Sequence, residues 1–280
     1  MKMALFLIIH KETFMRPQLF NVDVKPSARG VTAAIALLAF PLVAAESQDE
    51  QRSSWGLGLG VMSNQKAYTD SDRDTKVIPF LSYENEYIEI LGPNLKYKLP
   101  GITLNDSNAF NFGIIGKYDF TNYEADDAPI LNGMEDRDGG FWAGAVAEWQ
   151  NNIATVSLEF LTEVAGDSEG SMVNLGFERT WHFGDNYMLT PRAVFSWVDE
   201  SYVDYYYGVR TDEVTSGRTF YQGEAGLNTE IGLRGGYMFN QKHMIFLDFA
   251  VTSLADEIKD SPLVDSSTES QVSLAYIYRF

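Results

Sequence analysis

Few residues of this 280-residue chain have the types and spacing of a catalytic site. The chain contains three histidines, His10, His182 and His243, and no cysteine. A Ser-His or Asp-His hydrolase needs a histidine beside its nucleophile or water, whereas His182 and His243 both lie beside short turn-like segments. There is no Gly-x-Ser-x-Gly elbow and no His-Glu-x-x-His helix motif. The sequence therefore predicts no catalytic residue and a protein that is not an enzyme.

The acidic run 70–74 is the stretch that most resembles a metal site. Asp70, Asp72 and Asp74 alternate as at the start of a calcium-binding loop, but the glycine and the final glutamate of such a loop are missing. A solvated acidic loop is the better interpretation, so no metal and no cofactor is predicted. The net charge of −18 also opposes binding to nucleic acid, because its phosphates would be repelled.

A second group of charged residues recurs within segments that alternate apolar and polar residues. If these segments are strands, the apolar side chains share one face and the charges share the other. A charged inner face can select or conduct a solute. We favour an ion-pair network that fills a narrow barrel, because unpaired charges inside would be costly. These residues are Lys117, Asp119, Glu148, Glu159, Glu178, Arg192, Glu230, Arg234 and Asp248.

The segments that must position these charges predict an all-β chain. No segment approaches 18 consecutive apolar residues, and strands of about ten residues suit a tilted strand that crosses a membrane. About twelve strands, with ten to fourteen compatible, predict a transmembrane antiparallel β-barrel. The predicted strands are 55–61, 76–84, 86–91, 94–99, 110–120, 141–149, 154–160, 173–182, 189–197, 227–239, 245–251 and 272–280.

The connections between the strands alternate between short and long. Short turns are predicted at 151–152, 184–186 and 240–242, and 165–170 is one modest exception among the long connections. Outer-membrane barrels have short periplasmic turns and longer extracellular loops in this order. The chain is therefore expected to sit in the outer membrane, surrounded by lipid and lipopolysaccharide. The long, acidic, extracellular loops are 64–75, 121–139, 199–222 and 255–270.

The two ends of the chain support export and insertion. Residues 1–45 have the form of a cleaved signal peptide, with basic residues before an apolar run that ends at Ala45, and Met15 is the more plausible start. A short periplasmic lead-in at 46–53 and a barrel at 54–280 are then expected. The last strand carries a C-terminal signal for the barrel-assembly machinery and pairs back to 55–61. That signal consists of Tyr276, Tyr278 and Phe280.

One tyrosine-rich segment exceeds what a barrel requires and resembles a known family. The segment consists of Tyr206, Tyr207, Gly208 and Val209, followed by Arg218, Tyr221 and Ala225-Gly226. It resembles the MipA/OmpV family of Gram-negative outer-membrane proteins, named for an interaction with the murein transglycosylase MltA. The runs 77–80, 190–197 and 278–280 are also similar to that family, and the resemblance spans 46–280.

The resemblance implies a scaffold that connects a lytic transglycosylase with a murein synthase, and it implies no catalytic residue. The tyrosine-rich segment is expected in an extracellular loop, whereas murein enzymes work in the periplasm. We therefore expect this segment to be a structural plug or lid, and a periplasmic partner to meet the short turns or 46–53. A narrow solute channel with a charged lumen and a surface adhesin are the alternatives, because the fold is compatible with all three.

Overall fold

The computed structural model describes residues 53–105 and 107–280, which form a closed antiparallel β-barrel. The predicted signal peptide and residues 46–52 of the predicted lead-in lie outside the described residues. The strands are β1 (Ser54–Gln65), β2 (Asp74–Glu84), β3 (Ile88–Leu91), β4 (Asn94–Asn105), β5 (Asn108–Tyr118), β6 (Phe141–Gln150), β7 (Thr155–Ala165), β8 (Ser171–Glu178), β9 (Trp181–Phe183), β10 (Tyr187–Val198), β11 (Gly226–Met238), β12 (His243–Ser253) and β13 (Thr268–Arg279).

These thirteen segments make twelve barrel strands. Segments β8 and β9 both pair with β10, so they are two parts of one interrupted strand. Each strand pairs with its neighbours in the chain, and β13 pairs with β1 from Gly56 opposite Arg279 to Gln65 opposite Ser270. The sheet therefore closes on itself through β1 and β13, which would be its two edge strands if it were open. The predicted barrel of about twelve strands and its closure by the last strand are confirmed.

The apolar side chains of the strands face outward. On β1 the outward residues Leu57, Leu59 and Val61 are exposed, while the alternate positions are glycines that face the lumen. This outward belt is flanked by aromatic rings, such as Trp55 and Phe280 with ring centroids 5.4 Å apart. An apolar outer belt between aromatic girdles is the arrangement of a barrel that sits in a lipid bilayer.

The connections separate into a loop end and a turn end of the barrel. The loop end carries residues 66–73, 119–140, 166–170, 199–225 and 254–267, and the turn end carries 85–87, 107, 151–154, 184–186 and 239–242.

The predicted alternation of short and long connections is wrong at one place, because the β3–β4 link is only Gly92-Pro93 and reverses within the barrel wall beside Leu81, before it reaches the loop end. Gly92 has φ +58°, which a residue without a Cβ adopts readily, so the chain reverses there in two residues. The apolar alternation of residues 86–99 is weak, so the sequence did not predict this two-residue turn.

The long loops contain helices that the sequence analysis did not predict. Helix α1 is Glu200–Tyr207, helix α2 is Asp256–Lys259, and a 3₁₀ turn covers Pro129–Leu131. Among the described residues, none of the helices has the length and apolarity needed to cross a membrane. The main cluster of buried apolar side chains lies in these loops and at the adjoining strand ends, not in the barrel wall. The loop end is therefore a packed structure rather than a set of separate loops.

Candidate functional site

Helix α1 is the centre of this packed structure, which we call the lid and define as residues 66–73, 119–140, 199–225 and 254–267. Asp199 caps the start of the helix, because its carboxylate accepts a hydrogen bond from the Tyr202 N–H at 3.0 Å. Its side chains Tyr202, Val203 and Tyr206 are buried among the other loops. Aromatic residues in a segment without a transmembrane pattern were the sequence signal for this core.

Side chains from three other loops bind the carbonyls at the end of α1. Arg137 donates from Nε to the Tyr205 carbonyl at 2.9 Å, and the Tyr68 hydroxyl donates to the Tyr206 carbonyl at 3.0 Å. The Ser261 hydroxyl donates to the Tyr207 carbonyl at 2.6 Å. The last carbonyls of a helix have no partner within the helix. Here they fasten α1 to loops that are far away in sequence.

A buried ion pair joins two of the lid loops. The Arg137 guanidinium lies 2.8 Å from the Glu213 carboxylate, and the two side chains are only 1% and 3% exposed. Burial alone would raise the pKa of Glu213. Hydrogen bonds from the Arg210 N–H, the Arg137 guanidinium and the Glu135 N–H outweigh that effect and lower the pKa of Glu213 below its ordinary value. The sequence did not predict this ion pair, because its two partners are 76 residues apart.

The family-motif residues from Tyr206 to Tyr221 all lie in the lid, whereas the other similar runs, 77–80, 190–197 and 278–280, lie on strands or at the end of β13. Arg218 is buried and donates to the Glu213 carbonyl at 2.7 and 3.0 Å, and to the Ile130 and Asn132 carbonyls of 119–140. Val209 and Tyr221 form a β-bridge, and the Tyr221 hydroxyl donates to the carbonyl of Glu257 in α2.

The remaining family-motif residues surround the end of α1. A Cβ at Gly208 would clash with the Asp204 carbonyl, so this position requires glycine. Burial raises the pKa of the Tyr206 and Tyr207 hydroxyls well above the ordinary value of a tyrosine, so both remain neutral donors. Tyr206, Tyr207, Gly208, Val209, Arg218 and Tyr221 therefore share one structural role, which is to hold the lid together.

The predicted lumenal charges are brought together in part. Arg192 donates from Nε to Glu230 at 2.8 Å and through both terminal nitrogens to Asp248 at 2.8 and 3.0 Å. Arg234 Nε is 2.9 Å from the same Asp248 carboxylate. These four residues form a network of alternating charge across β10, β11 and β12. Such a network satisfies charges that would be costly alone in the lumen.

The other predicted charges do not join this network. Glu148 pairs with Lys96 at 2.6 Å, and Glu159 accepts from Asn174 at 3.1 Å. Lys96 was not predicted, because the apolar alternation of β4 is weak. Asp119 lies beyond the end of β5 and accepts from the Thr121 N–H and hydroxyl. Glu178 is exposed at the end of β8 towards the turn end of the barrel.

Lys117 lies between two cavities of the barrel interior. Its ammonium contacts the Met172 sulfur at 3.9 Å. A cavity of about 340 Å³ lies under the lid and is also lined by Tyr68, Tyr207, Glu230 and Glu269. A second cavity of about 230 Å³ lies along β3 to β7 and includes Lys96, Glu148 and Glu159 in its wall. Within 53–105 and 107–280, no group of three or more acidic or histidine side chains is placed to hold a metal ion.

The predicted assembly signal lies at the turn end, beside the seam of the barrel. The Phe280 N–H donates to the Trp55 carbonyl at 3.0 Å, and the rings of Tyr278 and Phe280 are 5.1 Å apart. The Tyr276 hydroxyl is 2.5 Å from His243 Nδ1. His182 lies on β9, also at the turn end and exposed. Both histidines therefore lie at the girdle and not beside either cavity.

Comparison with known proteins identifies relatives over most of the chain. Outer membrane protein OmpV of Vibrio cholerae is 25% identical over 228 residues, which cover 81% of this chain and 86% of OmpV. The MltA-interacting protein of Escherichia coli is 25% identical over 237 residues, covering 82% of this chain and 91% of that protein. A crystallised outer membrane channel from Pseudomonas putida F1 is 10% identical and aligns over 85% of this chain and all of that chain, with a TM-score of 0.39.

The family model described as "MltA-interacting protein MipA" matches residues 57–280, which is nearly the whole described chain. The outer-membrane location predicted from the strands and loops is confirmed, since relatives over most of the chain are named outer membrane proteins. The loop end is therefore extracellular and the turn end periplasmic. The predicted resemblance is confirmed too, and this chain belongs to the MipA family of outer-membrane β-barrel proteins.

Proposed function

We propose that this protein is an outer-membrane anchor that binds a lytic transglycosylase at the periplasmic face. The observation that carries the proposal is the lid, whose buried core and Arg137–Glu213 pair close the extracellular end of the barrel. A barrel closed in this way is not an open pore, so the surface available to a partner in the periplasm is the turn end. The name of the Escherichia coli relative supports a lytic transglycosylase as that partner.

The turn end presents an apolar side chain suited to such a contact. Ile153 is 83% exposed in the turn 151–154, and its N–H is held by Asn151 Oδ1 at 2.8 Å. An ordered turn that projects an apolar side chain into water loses little conformational freedom when a partner covers it. We expect Ile153 to be one contact of the bound enzyme.

Capture of the purified lytic transglycosylase of the same organism by the purified barrel tests this function. The wild-type protein is expected to retain the enzyme, and Ile153→Asp to weaken retention about tenfold, as the loss of an interface anchor does. Val214→Asp is the matched control, because Val214 is also an exposed apolar residue but lies in the extracellular lid. Failure of the wild-type protein to capture the enzyme would overturn the proposal, and equal retention by both variants would exclude Ile153 as a contact.

A second candidate function is that of a gated channel for small solutes. It is favoured by the two cavities, which share Lys117, and by Glu230 of the charged network, which lines the cavity under the lid. Charged rings in a lumen set ion selectivity. In a planar bilayer the wild-type protein should be closed, and the lid variant Arg137→Met should conduct. Adding Glu230→Gln to that variant should shift its ion selectivity. Absence of conductance in the lid variant would remove this candidate.

A further inference from the structure

Strand β2 is paired along its whole length on one side and along only three residues on the other. Its pairing with β1 runs from Asp74 to Glu84. Its pairing with β3 covers Ser82–Glu84 alone, because β3 has four residues and reverses at Gly92-Pro93. The last backbone hydrogen bond between this side of β2 and the reversal joins the Gly92 N–H to the Leu81 carbonyl at 2.8 Å. Above Leu81 the barrel wall therefore has an opening.

The opening lies at the level of the apolar belt. Val77 is opposite Val61 on β1, Pro79 is opposite Leu59, and Leu81 is opposite Leu57. The β1 residues of these three pairs are the outward apolar side chains that contact lipid. The open edge of β2 therefore faces the hydrocarbon of the outer leaflet rather than water. Unpaired backbone groups are rare at this depth unless they border a protein-lined or water-filled cavity.

Residue 79 of β2 is a proline, which is the residue type expected at an open strand edge. The Leu81 carbonyl points towards β3, and backbone groups of alternate residues in a strand point to the same side. The nitrogen of Pro79 therefore points into the opening, where proline provides no N–H that would need a partner. Proline in a sheet is confined to such edges, and it also prevents a strand of a second copy from completing the ladder there.

The far side of the opening is the segment 118–122. The Tyr118 N–H donates to the Pro93 carbonyl at 3.2 Å, which closes the opening below. A side-chain bridge crosses it above, from Lys76 Nζ to Asn122 Oδ1 at 3.1 Å. Segment 118–122 also lines the 340 Å³ cavity under the lid. One segment is thus shared by the opening and by the cavity.

The inner side of the opening is apolar. Strand alternation directs Ile78 and Phe80 inward, between the outward residues Val77, Pro79 and Leu81. The Phe80 ring lies 3.0 Å from the position that a Cβ of Gly92 would occupy, so it packs under the β3–β4 turn. A hydrocarbon chain that passes between β2 and 118–122 would therefore meet apolar side chains on both faces of β2.

We propose that this opening is a lateral port, through which the acyl chain of an outer-leaflet lipid reaches the barrel interior beside Ile78 and Phe80. A lipid acyl chain is the expected occupant because the port lies in the apolar belt and because Pro79 excludes a pairing strand. The cavity beneath the lid then communicates with the membrane rather than with the extracellular medium. This inference does not depend on the proposed partner of the turn end.

The chain has no cysteine, so single-cysteine variants carrying a bimane fluorophore report on the port directly. The label is placed at Ile78→Cys inside the port, at Val77→Cys outside it, and at Ser273→Cys inside a fully paired part of the wall. The folded variants are reconstituted in vesicles of phosphatidylcholine that carries a doxyl quencher on its acyl chain. Quenching at Ile78 is expected to reach at least half of that at Val77, with little at Ser273.

Quenching at Ile78 as low as at Ser273 would overturn the proposal. A second variant, Asn122→Ala in the Ile78→Cys background, removes the Lys76 bridge and should increase quenching further. A heat-modifiable gel shift, checked for each variant, restricts the comparison to folded barrels. Cross-linking of two protein copies through Val77→Cys in the vesicles would instead identify the edge as a dimer contact and would also overturn the proposal.

Discussion

At the scale of residues, the lid over the extracellular end of the barrel is held in part by charged and polar groups that are buried in pairs. Arg137 illustrates why, since its guanidinium binds Glu213 and the Tyr205 carbonyl and also lies 5.5 Å from the centre of the Tyr205 ring. Each contact satisfies a group that burial would otherwise penalise. These buried pairs therefore add strongly to the apolar packing of the lid, and single substitutions among them should loosen it.

Replacement of Arg137 by Met should destabilise the lid strongly. It leaves the Glu213 carboxylate buried without its ion-pair partner, a loss of about 3 kcal/mol. The free energy of unfolding in urea and the rate of proteolysis within 199–225 measure the effect. Arg210→Met is the matched control, because Arg210 pairs with Glu135 at an exposed site where about 0.5 kcal/mol is expected. Equal effects of the two substitutions would contradict this role of Arg137.

The lid should also weaken in acid through Glu213. Its folded pKa is lowered, so the ionised carboxylate stabilises the lid above the unfolded pKa of about 4.3. That stability is lost as the pH falls through the lowered folded value. The free energy of unfolding of the wild-type protein should therefore approach that of Glu213→Gln as the pH decreases from about 6 to about 3. A difference that stays constant over this range would refute the assignment.

At the scale of elements, α1 and β2 depart from a regular barrel in opposite ways. Helix α1 adds contacts, because its last carbonyls bind side chains from residues 68, 137 and 261. Strand β2 lacks contacts, because its neighbour β3 is too short to cover it. One element thus closes the barrel at its mouth, while the other opens it through its wall.

Replacement of Pro79 by Val tests the open edge of β2 as an element. The substitution adds an N–H that points into the opening at the level of the belt, where it has no strand to pair with. We expect the free energy of unfolding in lipid vesicles to fall by about 2 kcal/mol, the order of cost of an unsatisfied buried polar group. If the edge were covered by a pairing strand, the new N–H would gain a hydrogen bond and the variant would be more stable.

At the scale of the whole molecule, the seam between β1 and β13 makes the chain a closed barrel. The seam ends at the turn end, where the Phe280 N–H reaches the Trp55 carbonyl. Closure pairs β1 with β13, so neither of these strands leaves its edge unpaired in lipid. Phe280 therefore contributes to the seam, and its part in a signal for assembly stays a prediction.

Deletion of Phe280 should reduce the amount of folded barrel in the outer membrane several-fold. The measurement is the heat-modifiable fraction in isolated outer membranes. Phe183→Ala is the control, because Phe183 is another exposed girdle aromatic at the turn end but lies far from the seam. A normal folded fraction for the truncated protein would refute the predicted signal.

The sequence alone determined the barrel, because a period of two is a local property. Leu57, Leu59 and Val61 reveal their shared face without any knowledge of their neighbours, and the order of short and long connections shows which ends lie together. Several lumenal charges were identified by the same alternation, including Arg192, Glu230 and Asp248. The most specific part of the family resemblance, the segment from Tyr206 to Tyr221, rested on residues that lie together in the lid.

Only the tertiary structure decided how the barrel is closed and where it is open. The pairing of Arg137 with Glu213 joins residues 76 positions apart, and no local pattern indicates such a contact. The opening beside Pro79 depends on the register of β2 with a four-residue strand, which the weak pattern of 86–99 does not reveal. Alternation specifies the direction of side chains within a strand, whereas pairing and loop packing depend on distant partners. For this reason the sequence indicated a membrane barrel, whereas only the tertiary structure showed where its lid and its lateral opening lie.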